Sequence, residues 1–179
     1  MLWRNGPDRF GLVSRTLHWG MALLVLGMLA LGTRIAGMEP GLANLWLYGL
    51  HKSLGLCVLT LTIARIVWHW ISPPPAPLAV GWQLVAARVA HLALYALLVA
   101  IPLSGWIASS ATGIDTLLFD RWTLPAIAPV SALWEDRGFA VHGVLTKVLF
   151  GLIFLHALAA LKHEMEGDGT LRRMIRGKT

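Results

Sequence analysis

Histidines are the residues of this chain whose type and spacing suggest chemistry. Two of them, His142 and His156, lie fourteen residues apart in the run HGVLTKVLFGLIFLH, which is otherwise almost wholly apolar. Imidazole is a common metal ligand and proton carrier, and ionisable side chains within apolar spans are costly and usually functional. On a helix, fourteen residues return to within about 40° of the same face and advance by about 21 Å. The two histidines therefore share a face, but they cannot share one ligand sphere.

The segments that position these histidines are long enough to cross a membrane. The chain is 56% hydrophobic and 13% charged, whereas soluble domains carry about 25% charged residues. A spanning helix needs about 20 apolar residues, and four stretches meet this length: 17–35, 50–71, 84–111 and 141–161. We expect an all-α fold, a four-helix integral membrane bundle. It would form a single domain over residues 1–179, embedded in the lipid bilayer, with the first span kept in the mature protein.

Charge predicts the orientation of this bundle, because lysine and arginine are enriched in cytoplasmic segments. Ten such residues lie at the termini and beside the proline-rich loop that follows span two: Arg4, Arg9, Arg15, Arg65, Arg88, Lys162, Arg172, Arg173, Arg176 and Lys178. The opposite side has five: Arg34, Lys52, Arg121, Arg137 and Lys147. Both termini are therefore predicted to be cytoplasmic. This topology also explains the net charge of +6 without a nucleic-acid partner.

The ends of the spans match the histidines by depth. Span one begins and span four ends on the cytoplasmic side, which puts His18 level with His156. Spans two and four both begin on the outer side, which puts His51 level with His142. Zinc prefers three or four close ligands that include thiolate or carboxylate, and the spans have no such cluster. Facing imidazoles are instead the axial ligands expected for b-type haem in a helical bundle. The pattern predicts two haem b groups and electron transfer.

Haem propionates are anionic, and four basic residues lie near the predicted ligands: Arg15, Lys52, Arg65 and Lys147. Each is a candidate propionate contact, although a topology signal or a side chain extended to the interface would explain it too. For Arg65, the deepest of them, we favour the propionate contact. Small residues beside the ligands are Gly20, Gly55, Gly143 and Gly151. They would let a flat macrocycle approach, or serve ordinary helix packing.

Three histidines remain outside these pairs. His69 lies between two tryptophans just before the prolines, as expected of an interfacial residue, but it shares a face with His51 and is an alternative ligand. His91 lies at the cytoplasmic end of span three and has no evident partner. His163 lies about 10 Å beyond His156 toward the cytoplasm. There it would contact a proton-coupled substrate such as a quinone, or solvent alone.

Four segments that carry these residues resemble the bacterial cytochrome b561 family. They are TLHWGMALLV, LHKSLGLCVLTLTIARI, VAHLALYALLVAIPLSGW and VHGVLTKVLFGLIFLHALAALKHEMEGDGTLRRM, and the resemblance extends over nearly the whole chain. It implies two b haems in the bacterial cytoplasmic (inner) membrane, one held by His18 and His156 and the other by His51 and His142. It also implies a quinone near His163.

Members of this family oxidise superoxide on the periplasmic side and pass electrons to ubiquinone, so the resemblance implies superoxide:ubiquinone oxidoreductase activity. A positive funnel would speed the capture of superoxide, yet the outer segments carry five basic and five acidic residues. An alternative is a cytochrome b subunit that relays electrons from a periplasmic hydrogenase or dehydrogenase. The loop containing Trp122 and Trp134 would then be its docking face. A haem-free scaffold or transporter is a third possibility, but we find no deep carboxylate to support transport.

Overall fold

The apolar runs fold into four long α-helices in a computed structural model, of which residues 3–177 are described. The helices are α1 (Leu12–Ala36), α2 (Leu45–Ile71), α3 (Gly81–Ala111) and α4 (Ala132–Met165). Each is long and apolar enough to cross a membrane, and each contains one predicted span with further residues at its ends. α4 is extended most, because its polar first turns, with Glu135 near the positive end of the helix dipole, can continue outside the bilayer. Lys178, counted above among the cytoplasmic charges, lies outside the described residues.

An apolar layer fills the middle of the bundle. Val25, Val58, Leu97 and Leu149, one from each helix, form its buried cluster. Val25 follows His18 by seven residues, Val58 follows His51 by seven, and Leu149 lies midway between the two histidines of α4. Seven residues are about two helical turns. The apolar layer therefore separates two levels at which histidines face the interior.

Both ends of the described chain, near residues 3 and 177, meet at one end of the bundle, here called the terminal end. After Gly169, which has a left-handed backbone, the short helix α5 (Thr170–Arg176) folds back across it. The Trp19 indole N–H donates to the Met174 carbonyl oxygen over 3.1 Å. Arg173 is 4% exposed and donates to the carbonyl of Ala76 in the proline-rich loop over 3.1 Å. These contacts join α5 to α1 and to the loop between α2 and α3.

The opposite end, here called the hairpin end, carries a feature that the sequence did not predict. Between α3 and α4 the chain forms an antiparallel hairpin of β1 (Thr116–Leu118) and β2 (Trp122–Leu124). Its tip is fixed to the start of α2, because Ser53 Oγ accepts a hydrogen bond from the Phe119 N–H over 2.8 Å. The same hydroxyl donates to the Gly49 carbonyl. The all-α class therefore describes the membrane part, and a small hairpin caps it.

Candidate functional site

Every long helix contributes two inward-facing residues fourteen positions apart. The pairs are His18 and Gly32 on α1, His51 and Arg65 on α2, His91 and Gly105 on α3, and His142 and His156 on α4. Because fourteen residues rise about 21 Å on one face, these pairs form two levels. The hairpin level comprises Gly32, His51, Gly105 and His142. The terminal level comprises His18, Arg65, His91 and His156.

At the hairpin level the structure brings together the predicted pair of His51 and His142. Their ring centres are 6.1 Å apart and their planes meet at 77°. A metal–imidazole bond of about 2.0–2.1 Å and roughly 1.1 Å from nitrogen to ring centre would put two opposed rings about 6.2–6.4 Å apart. The measured separation fits one metal ion between the two imidazoles.

Two glycines allow these imidazoles to lie close to the neighbouring helices. A Cβ atom on Gly32 of α1 would lie 3.1 Å from Cε1 of His51, and one on Gly105 of α3 would lie 3.1 Å from Cε1 and Nδ1 of His142. His142 Nδ1 lies 2.9 Å from the carbonyl oxygen of Ile101. Since a carbonyl oxygen only accepts, Nδ1 must carry the proton, which leaves Nε2 free for a metal. His51 Nδ1 is buried and has no hydrogen-bond partner within the described chain.

At the terminal level the predicted pair of His18 and His156 also comes together, with ring centres 6.4 Å apart and planes at 69°. This separation meets the same test for a shared metal ion. His91 is a third imidazole here, with its ring centre 5.4 Å from that of His156. No partner for His91 was predicted from the sequence. Its spacing of fourteen residues from Gly105 matches the spacing of the other pairs, but a glycine is not usually considered a site residue.

Arg65 is the predicted cation that contacts a predicted ligand. Its Nη1 lies 3.0 Å from Nδ1 of His18, and its guanidinium carbon lies 5.9 Å from the ring centre of Tyr95. A guanidinium only donates, so His18 Nδ1 accepts in this arrangement. Iron bound at Nε2 would require a proton on Nδ1 and would turn Arg65 away, while leaving its positive charge at this level.

The other predicted basic residues differ in their surroundings. Arg15 donates to the carbonyl oxygen of Ile175 on α5 over 2.8 Å, so it links the chain ends. Lys52 is partly buried and Lys147 is exposed, both near the hairpin level. His69 Nδ1 lies 3.4 Å from the hydroxyl of Tyr95, toward the terminal end and about 27 Å along α2 from His51.

The four predicted glycines are mostly not packing contacts. A Cβ on Gly20, Gly143 or Gly151 would meet nothing within 4 Å in the described part of the chain, whereas one on Gly55 would lie 3.7 Å from Met28. Ordinary helix packing therefore explains Gly55 better than the other three. The glycines that closely approach the imidazoles, Gly32 and Gly105, were not predicted.

His163 lies near the terminal end, where its Nδ1 contacts a carboxylate oxygen of Asp168 and lies 3.9 Å from Glu166. Its side chain is 17% exposed. Burial raises the pKa of Asp168, but hydrogen bonds from Thr170 and His163 outweigh this effect, so the pKa lies below its ordinary value. Asp168 is thus an anion at neutral pH that orients His163.

Comparisons with known proteins identify the family of this chain. The family model of prokaryotic cytochrome b561 matches residues 9–177. The chain is 36% identical to "Cytochrome b561 homolog 2" of Escherichia coli (strain K12), over 98% of this chain and 95% of that protein. It is 30% identical to "Probable superoxide oxidase CybB" of Yersinia pestis, over 89% of this chain and 91% of that protein.

These matches confirm the predicted family and the predicted four-helix membrane fold. They also confirm the multi-pass location in the bacterial inner membrane. The chain belongs to the prokaryotic cytochrome b561 family of b-type haem proteins, which transfer electrons in the membrane.

Proposed function

We propose that this chain holds two b-type haems, one at each level, and carries electrons from the hairpin end to a quinone at the terminal end. The observation that carries the proposal is the pairing of imidazoles at 6.1 Å and 6.4 Å, at two depths. Each separation suits one iron between two nitrogens. A bound haem supplies one-electron redox chemistry, and the helices supply its axial ligands and an apolar surrounding.

Two imidazoles at each level would hold one haem. His51 and His142 would do so at the hairpin level, and His18 and His156 at the terminal level. A haem held by two imidazoles would supply electron transfer rather than binding of oxygen. The role of the ligand histidines is therefore to hold the metal in one geometry in both oxidation states, so that little rearrangement accompanies each electron.

The charge of Arg65 favours movement of electrons toward the terminal level. Arg65 places a cation beside His18, whereas glycines face the imidazoles at the hairpin level. A nearby positive charge stabilises an added electron, more strongly in an apolar surrounding than in water. Arg65 is also the first choice for a propionate contact at the terminal level, with Lys52 and Lys147 as the corresponding residues near the hairpin level and Arg15 near the terminal end.

The terminal end is the proposed site of quinone reduction, with ubiquinone as the acceptor. Reduction of a quinone to a quinol consumes two electrons and two protons. His163, oriented by Asp168, would donate a hydrogen bond and a proton to a quinone oxygen. The charge distribution predicts that this end lies in the cytoplasm, which would then supply the protons.

Superoxide is the proposed electron donor, at the hairpin end on the periplasmic side. Two superoxide ions would each release one electron and leave as dioxygen, while one ubiquinone gains two electrons and two protons to give ubiquinol. The name of the Yersinia pestis relative supports this donor. Lys52 directly follows the predicted ligand His51 in the chain, and it would attract the anion.

A second candidate function is that of a cytochrome b subunit that receives electrons from a periplasmic hydrogenase or dehydrogenase. The exposed apolar side chains of the hairpin end favour this alternative. Trp122 is 60% exposed, and Phe119 and Trp134 are also exposed. A protein partner that docks there would cover them. Co-purification of such a partner, with no superoxide activity of the isolated chain, would support this function instead.

The test uses the purified protein in lipid nanodiscs with ubiquinone and an enzymatic source of superoxide. The proposal predicts reduction of the haem absorption bands and formation of ubiquinol. The His142→Ala and His156→Ala variants should each lose one haem and the transfer of electrons to ubiquinone. Gly27→Ala is a suitable control, because Gly27 is on the face of α1 opposite His18 and a Cβ there would meet nothing within 4 Å. Full activity in both histidine variants would contradict the proposal.

A further inference from the structure

From the contacts of α3, we infer that Ile101 and Gly105 are positioning residues that fix the orientation of His142 and make the hairpin-level haem the centre of lower reduction potential. This inference rests on the proposed function, because it assigns His142 as an axial ligand. It adds a role for a helix that provides no predicted ligand. A lower potential at the hairpin level would also favour the flow of electrons from this level toward the terminal level.

The main contact is the hydrogen bond from His142 Nδ1 to the carbonyl oxygen of Ile101, over 2.9 Å. The same oxygen accepts from the Ser104 hydroxyl over 2.8 Å, and the Ser104 oxygen itself lies 3.3 Å from His142 Nδ1. A ligand histidine that donates its second N–H to a carbonyl has a fixed tautomer, a fixed ring orientation and a more basic ligating nitrogen. A more basic nitrogen stabilises the oxidised iron relative to the reduced iron.

Gly105 allows this hydrogen bond to form, because it lies one turn after Ile101 on the same face of α3. A Cβ at this position would lie 3.1 Å from both Cε1 and Nδ1 of His142. This is closer than ordinary van der Waals contact, and it would push the ring away from the Ile101 carbonyl. The carbonyl and the glycine therefore act together.

The partner ligand at this level provides a natural comparison. A Cβ added to Gly32 would lie 3.1 Å from Cε1 of His51, so each ring of the pair packs closely against a glycine. Yet His51 Nδ1 has no hydrogen-bond partner within the described chain. Substitution of either glycine should crowd one imidazole, but only Gly105→Ala should also break a hydrogen bond to a carbonyl.

Replacement of each histidine by an added ligand separates the hydrogen bond from crowding. In His142→Gly, added imidazole can ligate the iron and donate its other N–H to Ile101, whereas 1-methylimidazole can ligate but has no N–H to donate. The midpoint potential should be lower with imidazole than with 1-methylimidazole. At the same applied potential, the ratio of oxidised to reduced haem should therefore be larger with imidazole by a factor of about three or more. In His51→Gly the two ligands should give equal potentials. A difference of the same size at both sites, or none at His142→Gly, would overturn the inference.

Glycine variants of the holoprotein give a second test by spectroelectrochemical titration. Gly105→Ala should raise the midpoint potential of the hairpin-level haem alone, while Gly32→Ala should leave it near the wild-type value. If crowding expels the haem, selective loss from Gly105→Ala would support the inference, and equal loss from both variants would overturn it. Unchanged potentials in Gly105→Ala would also overturn it. A wild-type protein without haem would instead refute the proposed function on which the inference rests.

Discussion

Gly138→Ala should selectively weaken haem binding at the hairpin level, although Gly138 is not a predicted ligand. Gly138 packs against α3, and a Cβ there would lie 2.8 Å from Cβ and 3.0 Å from Cα of Ala108. Carbon atoms in contact prefer about 3.5–4.0 Å, so α3 and α4 would have to separate by roughly 0.7–1.2 Å. Both atoms belong to Ala108 and its backbone, so no flexible side chain can absorb the change.

The separation should reach His142, which follows Gly138 by about one turn on the same face. Adding the full displacement to the 6.1 Å between the rings of His51 and His142 gives about 6.8–7.3 Å, beyond the 6.2–6.4 Å that suits two metal–imidazole bonds. Overpacking costs about 1–3 kcal/mol, and the better helix propensity of alanine returns up to about 1 kcal/mol. The fold should therefore survive while one centre is lost.

The assay is the ratio of haem to protein in the purified variant, with its oxidised and reduced visible spectra. Gly138→Ala should retain the terminal-level haem and lose, or bind weakly, the one at the hairpin level. Gly27→Ala is the control and should keep both haems. Two fully bound haems with wild-type potentials in Gly138→Ala would refute the argument from helix spacing.

Four further predictions concern the hairpin, the terminal level and, in two cases, the terminal end. Ser53→Ala should leave the partly exposed Phe119 N–H without its partner at a cost of about 0.5–1.5 kcal/mol. Limited proteolysis should then cut the hairpin faster than in Thr60→Ala, which removes an exposed hydroxyl bonded within its own helix. Equal rates would contradict this. Arg65→Gln should lower the midpoint potential of the terminal-level haem and Arg65→Lys should largely preserve it; a redox titration that shows no shift in Arg65→Gln would exclude the proposed charge effect. Asp168→Asn should raise the KM for ubiquinone more than Glu166→Gln, since the Asp168 carboxylate contacts His163 while Glu166 also pairs with Lys162. Because the folded pKa of Asp168 is lowered, the stability that its anion contributes should be present above about pH 4 and lost as pH falls through the lowered value; a loss that begins near neutral pH would contradict this.

The histidine pairs could be predicted from the sequence because two simple features suggest them. Apolar length defines the spans, and the fourteen-residue spacing of His142 and His156 defines two depths on one face. Matching the span ends then selects His18 and His51. The structure places both pairs at separations that suit a shared metal ion. No side-chain detail was needed for this step.

Other features depend on contacts that periodicity does not encode. Arg15 was predicted as a propionate contact, which stays a prediction; its hydrogen bond to the Ile175 carbonyl of α5 was not predicted. The return of α5 follows a break in the helix at Gly167 and Gly169, both with positive φ. The hairpin was missed because its strands are only three residues long. Gly105 was missed because its role is to be small, which only the position of the His142 ring reveals.

The most direct test of the central claim is the haem content and visible spectrum of the purified chain, oxidised and then reduced with dithionite. We expect two low-spin b-type haems per chain, with His142→Ala and His156→Ala each retaining a different one. One haem in the wild-type protein would show that one of the two histidine pairs is wrong. A colourless protein would contradict the account as a whole.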